Sequence, residues 1–379
     1  MDPFEKNVHH IFKETLKLNT DRLQIDKLFG HASYRTYYRV TLSPSPQASP
    51  SGGEGEKTFI LMQMPEGVSS VSEEITNYEG PKDELPFVNI QRYLKSLGLP
   101  VPELYCWDAE KKIMVLEDVG DRHLETYLKD AKESMRLSFY RRAIDLLVEM
   151  QKRTNQDAGA GTAGGNRGAP SRVTPSSSDC LAFHRSFDEK LLNWEFDHFL
   201  EYGIEDRFKI KVPEEDKKLF KKITRGISKE IANSKYIFVH RDFQSRNIMM
   251  KDYDLYILDF QDALQGPETY DLVSLLRDSY IELSPEAVDE LIDYFLEARK
   301  KAGLPIEDEN KFKRLFFLTA LQRKLKDTGR FQFINTVKGN PNFLVSVPSS
   351  LRYIRAAFAK LPEFEELRKL IAKYVKELD

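Results

Sequence analysis

The segment VHRDFQSRNIMM (239–250) closes the apolar run YIFV (236–239) with a histidine, an arginine and an aspartate in succession. Asn247 follows Asp242 by five positions. Two readings compete. In the first, the cluster is a helix start with some surface charge. In the second, Asp242 and Asn247 are two working parts of a phosphoryl-transfer site, and the fold is the scaffold such a site requires. The surrounding sequence decides between them.

Phosphoryl transfer asks little covalent help of a protein. It needs an aligned hydroxyl, a group to accept its proton, and cations spread over the phosphates. A carboxylate suits the first task. A second carboxylate and an amide oxygen suit magnesium, which prefers hard oxygen ligands. The chain supplies this set compactly. Asp242 and Asn247 have the H-R-D-x-x-x-x-N spacing of protein kinases. Asp259 follows a second apolar run, LYIL (255–258), and precedes Phe260. A strand out, a short loop and a strand back would bring the three side chains to one mouth, with Asp242 as base and Asn247 and Asp259 as metal ligands. An HRD triplet alone decides little; the added asparagine, aspartate and flanking apolar runs carry the weight. His240 and Arg241 read as structural residues. Asp271, in ETYDLVSLL (268–276), reads as a helix cap or a pin for the loop.

Upstream the pattern is β-rich. Phe4, Val8, Ile11, Phe12 and Leu16 predict an amphipathic helix over 3–18. DKLFGHASYRTYYRVTL (26–42) reads as strand, tight loop, strand, and TFILMQM (58–64) as a third strand after the Ser/Pro/Gly tract 43–57. A helix is expected over 87–97, stopped by Gly98 and Pro100. Strands at 104–107 and 112–117 follow. From Leu124 onward the chain is mostly helical, with Tyr140, Ile144, Leu147 and Met150 on one face. Residues 154–179 form a Gly/Ala/Ser/Pro tract expected to be a disordered loop. Ser284, Pro285 and Gly303 bound a helix with a stripe of Val288, Leu291, Ile292, Phe295 and Leu296. The fold class is therefore α+β: a two-lobed, protein-kinase-like chain, with a nucleotide-binding lobe over 1–118 and a helical catalytic and substrate lobe over 119–379.

Composition narrows the partners. The 379 residues carry 57 basic and 60 acidic side chains, a net charge of −3, which gives no general pull toward nucleic acid or an anionic membrane. Cys106 and Cys180 are far apart and show no metal spacing, so free thiols are expected. The first ten residues, MDPFEKNVHH, lack a basic start with an apolar core, and no apolar stretch is long enough to span a bilayer. A soluble cytoplasmic protein is expected; its oligomeric state is left open.

The nucleotide side is less explicit. Backbone N–H groups around Gly30 and Ser33 are candidates to cradle phosphates, with Arg35 adding charge, although an ordinary hairpin with surface arginines fits the same residues. The third strand, ILMQM (60–64), has no lysine, and the following helix has no glutamate, so the usual lysine–glutamate pair is missing. Backbone groups of Glu117 and Val119, in LEDVG (116–120), are candidates to pair with adenine; the Glu117 side chain reads equally as a solvated strand end.

Five stretches together resemble the aminoglycoside phosphotransferase-like kinase superfamily: ASYRTYYRV (32–40), MVLEDVGDR (114–122), VHRDFQSRNIM (239–249), ILDFQDALQGPETYDLVSLLRD (257–278) and LQRKLKDTGRF (321–331). The closer likeness is to bacterial N-acetylmuramate/N-acetylglucosamine anomeric kinases of cell-wall sugar recycling. The resemblance implies a two-lobed kinase fold, ATP, Mg2+ and transfer to the C1 hydroxyl of an amino sugar. It makes Asp242 the base and Asn247 and Asp259 the metal ligands. A missing strand lysine is ordinary in that branch; Gln63, the insert at 43–57 and Gln244 depart from it. For the substrate, Asp262 is the first candidate. Glu195 either binds sugar hydroxyls or lies on a solvated helix face. Arg323 and Lys324 are candidates for a lactyl carboxylate, although Arg323 also fits a brace of the helical lobe. Two alternatives stay open: a kinase of another alcohol, of aminoglycoside or choline type, and a nucleotide-binding regulatory protein without catalysis.

Overall fold

The computed structural model describes residues 2–28, 35–44, 55–65, 84–162 and 176–379. Helix α1, Pro3–His10, starts in a capping box: the Asp2 carboxylate accepts from Glu5 N at 2.8 Å, and Glu5 reaches back to Asp2 N. It continues as a π turn over Ile11–Thr15, one turn short of the expected end. Val8, Ile11 and Phe12 are fully buried.

Five antiparallel strands follow: β1 (Leu23–Leu28), β2 (Thr36–Leu42), β3 (Lys57–Gln63), β4 (Leu104–Asp108) and β5 (Ile113–Glu117), in the order β1-β2-β3-β5-β4. Helix α2 (Pro86–Ser96) lies between β3 and β4 in sequence. Because side chains alternate along a strand, the sheet has two apolar faces. Val40, Leu42, Phe59, Leu61, Ile113 and Val115 pack on α1. Met62, Met114 and Leu116 pack with Val88 of α2. Gln63 has the parity of Phe59 and Leu61, so Ile60 and Met62 are what β3 presents to the face packed on α2.

The rest is mainly helical: α3 (Leu124–Lys129), α4 (Glu133–Thr162), α5 (Glu189–His198), α6 (Glu214–Ala232), α7 (Tyr270–Leu276), α8 (Pro285–Lys301), α9 (Glu309–Lys338), α10 (Val347–Lys360) and α11 (Glu365–Ala372). Two short antiparallel ribbons are inserted, β6 (Tyr236–Val239) with β9 (Leu264–Pro267), and β7 (Ile248–Lys251) with β8 (Asp254–Ile257). Helix α8 carries the expected Ser284 cap, with its hydroxyl accepting from Ala287 N at 3.1 Å, and its apolar stripe is buried.

Helix α4 runs past Thr154 into the low-complexity tract. Thr154 is buried, with its hydroxyl donating to Met150 O at 2.8 Å, and the Asp157 carboxylate accepts from Ser177 N at 2.7 Å. The tract's start is helical because those side chains find partners; residues 163–175 lie outside the description. Cys106 and Cys180 are free thiols. Among the described residues, no helix is long and apolar enough to cross a membrane.

Candidate active site

Asp242 follows β6 by three residues, and Asn247 directly precedes β7. The expected pairing of the two apolar runs does not occur: β6 pairs with β9, and β8 pairs with β7. The three residues still come together. Asn247 Nδ2 donates to the Asp242 backbone carbonyl at 2.9 Å and approaches Asp259 Oδ2 at 3.4 Å. Leu258 N donates to Asn247 O at 2.9 Å, tying the two loop ends together. Arg241 (φ +77°) and Asp259 (φ +62°) both take left-handed backbone conformations without being glycine. Such strain persists only where the surroundings over-determine it.

Those surroundings are plain. Asp271, in the first turn of α7, accepts His240 N at 2.7 Å and Arg241 N at 2.9 Å on its two oxygens. Burial pushes its carboxyl up to about 7, against the pull of those donors. Asp278 accepts Ser245 N at 2.9 Å and the Ser245 hydroxyl. His240 Nε2–H donates to Leu258 O at 2.8 Å; burial holds the ring below its usual pKa despite the Asp242 and Asp259 charges. The loop is thus fixed by backbone-directed side chains.

Asp242 itself is one-third exposed, at 33% of its side chain. Burial alone would raise its pKa, but the Arg323, Lys326 and Arg241 charges hold it well below the usual carboxylate range. Arg323, on α9, donates Nη2 to Asp242 Oδ1 at 2.9 Å and Nη1 to Arg241 O at 2.9 Å and Tyr270 Oη at 3.0 Å. It is a brace of the helical lobe aimed at the loop. Lys324 is buried against Ser279 and Asp327. Asp262 stands in the turn after Asp259. Burial is the main cause that pushes its carboxyl up to about 6, with Asp259 and Asp242 adding to it and Arg241 and Arg185 opposing. Glu195 is fully buried, so the solvated-face alternative fails: Gln322 Nε2 donates to it and Arg241 Nη2 lies 3.9 Å away.

On the sheet side, Arg35 hydrogen-bonds the Tyr37 phenol, and that phenol feels the Asp259 charge. Arg35 also lines a small crevice with Met62, Phe87 and Gln261. The Phe260 ring meets Phe87 of α2 at 4.8 Å between centroids, joining the Asp259 turn to the sheet's partner helix. Ser33 lies outside the described residues, so the proposed phosphate cradle gains no geometry. Glu117 Oε1 accepts from Lys251 Nζ at 2.8 Å and is no free strand end. Val119 is buried beside it, and Arg39 clamps the connecting segment through Asp118 and Asp121.

Sequence reasoning missed Gln261, whose Nε2 donates to Asp259 Oδ1 at 2.8 Å. Its place two residues after the aspartate was the available signal. Asp278 and Lys326 carried none, lying 33 and 84 positions from the loop residues they act on.

Asn247 and Asp259 form a hard-oxygen donor pair, which fits magnesium completed by phosphates and water. Among the described residues, no cluster of three or more His, Cys, Asp or Glu side chains could hold a metal ion.

The model of a family described as "Phosphotransferase enzyme family" matches residues 35–305. An N-acetylmuramate/N-acetylglucosamine kinase of Pseudomonas aeruginosa is 29% identical over 342 residues, covering 90% of this chain and 86% of that one. Among solved structures, a choline kinase of Cryptosporidium parvum superposes with a TM-score of 0.56 at 10% identity, covering 99% of both chains. An ADP-bound aminoglycoside phosphotransferase gives 0.52 at 14% identity, covering 94% of this chain and 99% of that one. The two-lobed, protein-kinase-like fold expected from the sequence is the fold found.

Proposed function

This chain belongs to the phosphotransferase enzyme family, and from that premise we propose that it is an ATP- and magnesium-dependent sugar kinase. Its acceptor is the anomeric hydroxyl of an amino sugar, N-acetylmuramate or N-acetylglucosamine, and its place is cytoplasmic cell-wall sugar recycling. The observation that carries the reading is the convergence of Asp242, Asn247 and Asp259, linked by contacts of 2.9 and 3.4 Å. The Pseudomonas relative supports the sugar.

Each side chain has a part. The Asn247 amide N–H donates to the Asp242 carbonyl, and its amide oxygen together with the Asp259 carboxylate would hold magnesium. When bound, that ion neutralises charge on the phosphate oxygens. Arg323 occupies Asp242 Oδ1 and leaves Oδ2 for the acceptor hydroxyl. Asp242 stays ionised at neutral pH and orients that hydroxyl, accepting its proton as the phosphoryl group arrives. An anomeric hydroxyl is more acidic than an ordinary alcohol, so a weakly basic aspartate suffices. Arg323 acts through Asp242 and is a positioning residue. Arg35 supplies positive charge from the sheet side, and backbone groups of Glu117 and Val119 meet the adenine.

The test is an acceptor panel with coupled ADP detection and phosphorus NMR of the product. A sugar 1-phosphate is expected. Turnover with only choline or an aminoglycoside overturns the reading. Asp242→Asn should lower kcat by about 10²–10⁴-fold while nucleotide affinity persists.

A further inference from the structure

Helix α9 places several cations beneath the site, and all but one have close partners. Arg323 bonds Asp242, Arg241 O and Tyr270, and Lys324 bonds Ser279 and Asp327. Lys326 differs. It is 8% exposed, and its ammonium makes no hydrogen bond among the described residues. Its ion pair is with Asp327 Oδ1 at 3.6 Å, while the other oxygen of that carboxylate already accepts from Lys324 at 2.8 Å. With three N–H donors and an ion pair of 3.6 Å, this cation keeps donor capacity to spare, which asks what it serves.

Its position answers. Lys326 lies one helical turn beyond Arg323, so the two side chains leave the same face of α9. Arg323 ends on Asp242. The Lys326 charge is felt by Asp242 and Tyr270, and it feels that of the buried Glu195. An acceptor whose hydroxyl meets Asp242 would carry a ring substituent toward this face. Three N–H donors on a poorly hydrated cation suit a carboxylate there.

We propose that Lys326 is a specificity-determining residue that binds the carboxylate of an acidic amino-sugar acceptor, an inference resting on the amino-sugar kinase reading above. It separates the two sugars by chemistry, since only N-acetylmuramate bears a carboxylate.

The experiment compares kcat/KM for N-acetylmuramate and N-acetylglucosamine in the full-length enzyme, Lys326→Met and Lys326→Arg. Removing a charge-assisted bond should lower the muramate-to-glucosamine ratio by about tenfold or more in Lys326→Met, chiefly through KM. Lys326→Arg keeps the charge and should restore most of the ratio. Taking the ratio cancels any general effect on Asp242 or on folding. A ratio constant within about twofold across the variants overturns the proposal, because a purely structural lysine moves both sugars alike. Wild-type turnover of N-acetylglucosamine without N-acetylmuramate overturns it too and leaves the kinase reading standing. Failure of both sugars overturns that reading and the inference with it.

Discussion

Arg323 Nη2 lies 2.9 Å from Asp242 Oδ1 across 81 residues of sequence, joining α9 to the loop after β6. The same guanidinium holds Arg241 O and the Tyr270 hydroxyl, so one side chain fixes both the backbone and the carboxylate of the loop. Removing one partner of a buried ion pair costs about 3–5 kcal/mol. Asp242 is one-third exposed and water screens part of that loss, so Arg323→Met should destabilise the protein by less, about 1–3 kcal/mol, and lower kcat sharply. Because the folded-state pKa of Asp242 is depressed, its contribution to stability is present above its unfolded value near 4. That contribution is lost as pH falls through the lower folded value. The variant should therefore be less stable than the wild type above about pH 4, with the gap closing in acid, and the acid limb of kcat/KM should move upward. An unchanged acid limb would sink the pairing. Arg323→Lys should not restore it, since an ammonium cannot span three acceptors in the planar fork of Arg.

Helix packing offers a test by sign. A Cβ on Gly329 of α9 would stand 2.8 Å from His198 O and 2.9 Å from Phe199 Cα, both backbone atoms. A Cβ on Gly226 of α6 would meet nothing within 4 Å. Gly→Ala inside a helix ordinarily stabilises by about 1 kcal/mol. Gly226→Ala should do so, while Gly329→Ala should cost about 1–3 kcal/mol through overpacking. Urea unfolding of the two variants measures the difference, and equal signs would refute the close approach.

The sheet, α8 and the approach of Asn247 to Asp242 and Asp259 were legible because each rests on short spacings. An alternating Tyr/Arg/Val run and short apolar runs marked the strands, and Ser284 and Pro285 marked a helix start. What the sequence hid depends on long-range contact. Glu195 looks like one more polar position on a helix until Gln322 and Arg241 close over it. Arg323 offered two readings, and only the fold aims it at Asp242. The pairing of β6 with β9 rather than with β8 was equally hidden, since four-residue apolar runs carry no partner information.

The Asp262 carboxyl gives a pH signature in a higher window. Burial pushes it up to about 6, above its unfolded value near 4. The folded chain keeps that proton longer, so its stabilising effect is complete below about pH 4 and disappears as pH rises through about 6. The stability of the wild type relative to Asp262→Asn should fall across that window and then level off. If the ionised form accepts sugar hydroxyls, KM for the sugar should rise below about pH 6 in the wild type alone. Parallel KM profiles in both proteins would remove Asp262 from the acceptor site.

Gln261 tests whether the metal ligand is positioned or merely present. Its Nε2 donates to Asp259 Oδ1 at 2.8 Å, while Asn247 approaches Oδ2 at 3.4 Å. The two amides set the rotation of the carboxylate before any ion arrives. Partners that orient a metal ligand typically matter tenfold or more in metal affinity. Gln261→Leu keeps the bulk against the sheet and deletes the donor. The magnesium concentration for half-maximal activity should rise by about tenfold, with kcat largely recovered at saturating magnesium. A fall in kcat that magnesium does not repair would mean that the turn itself had shifted, and that Gln261 serves packing with Phe87 and Met62 instead of holding the carboxylate.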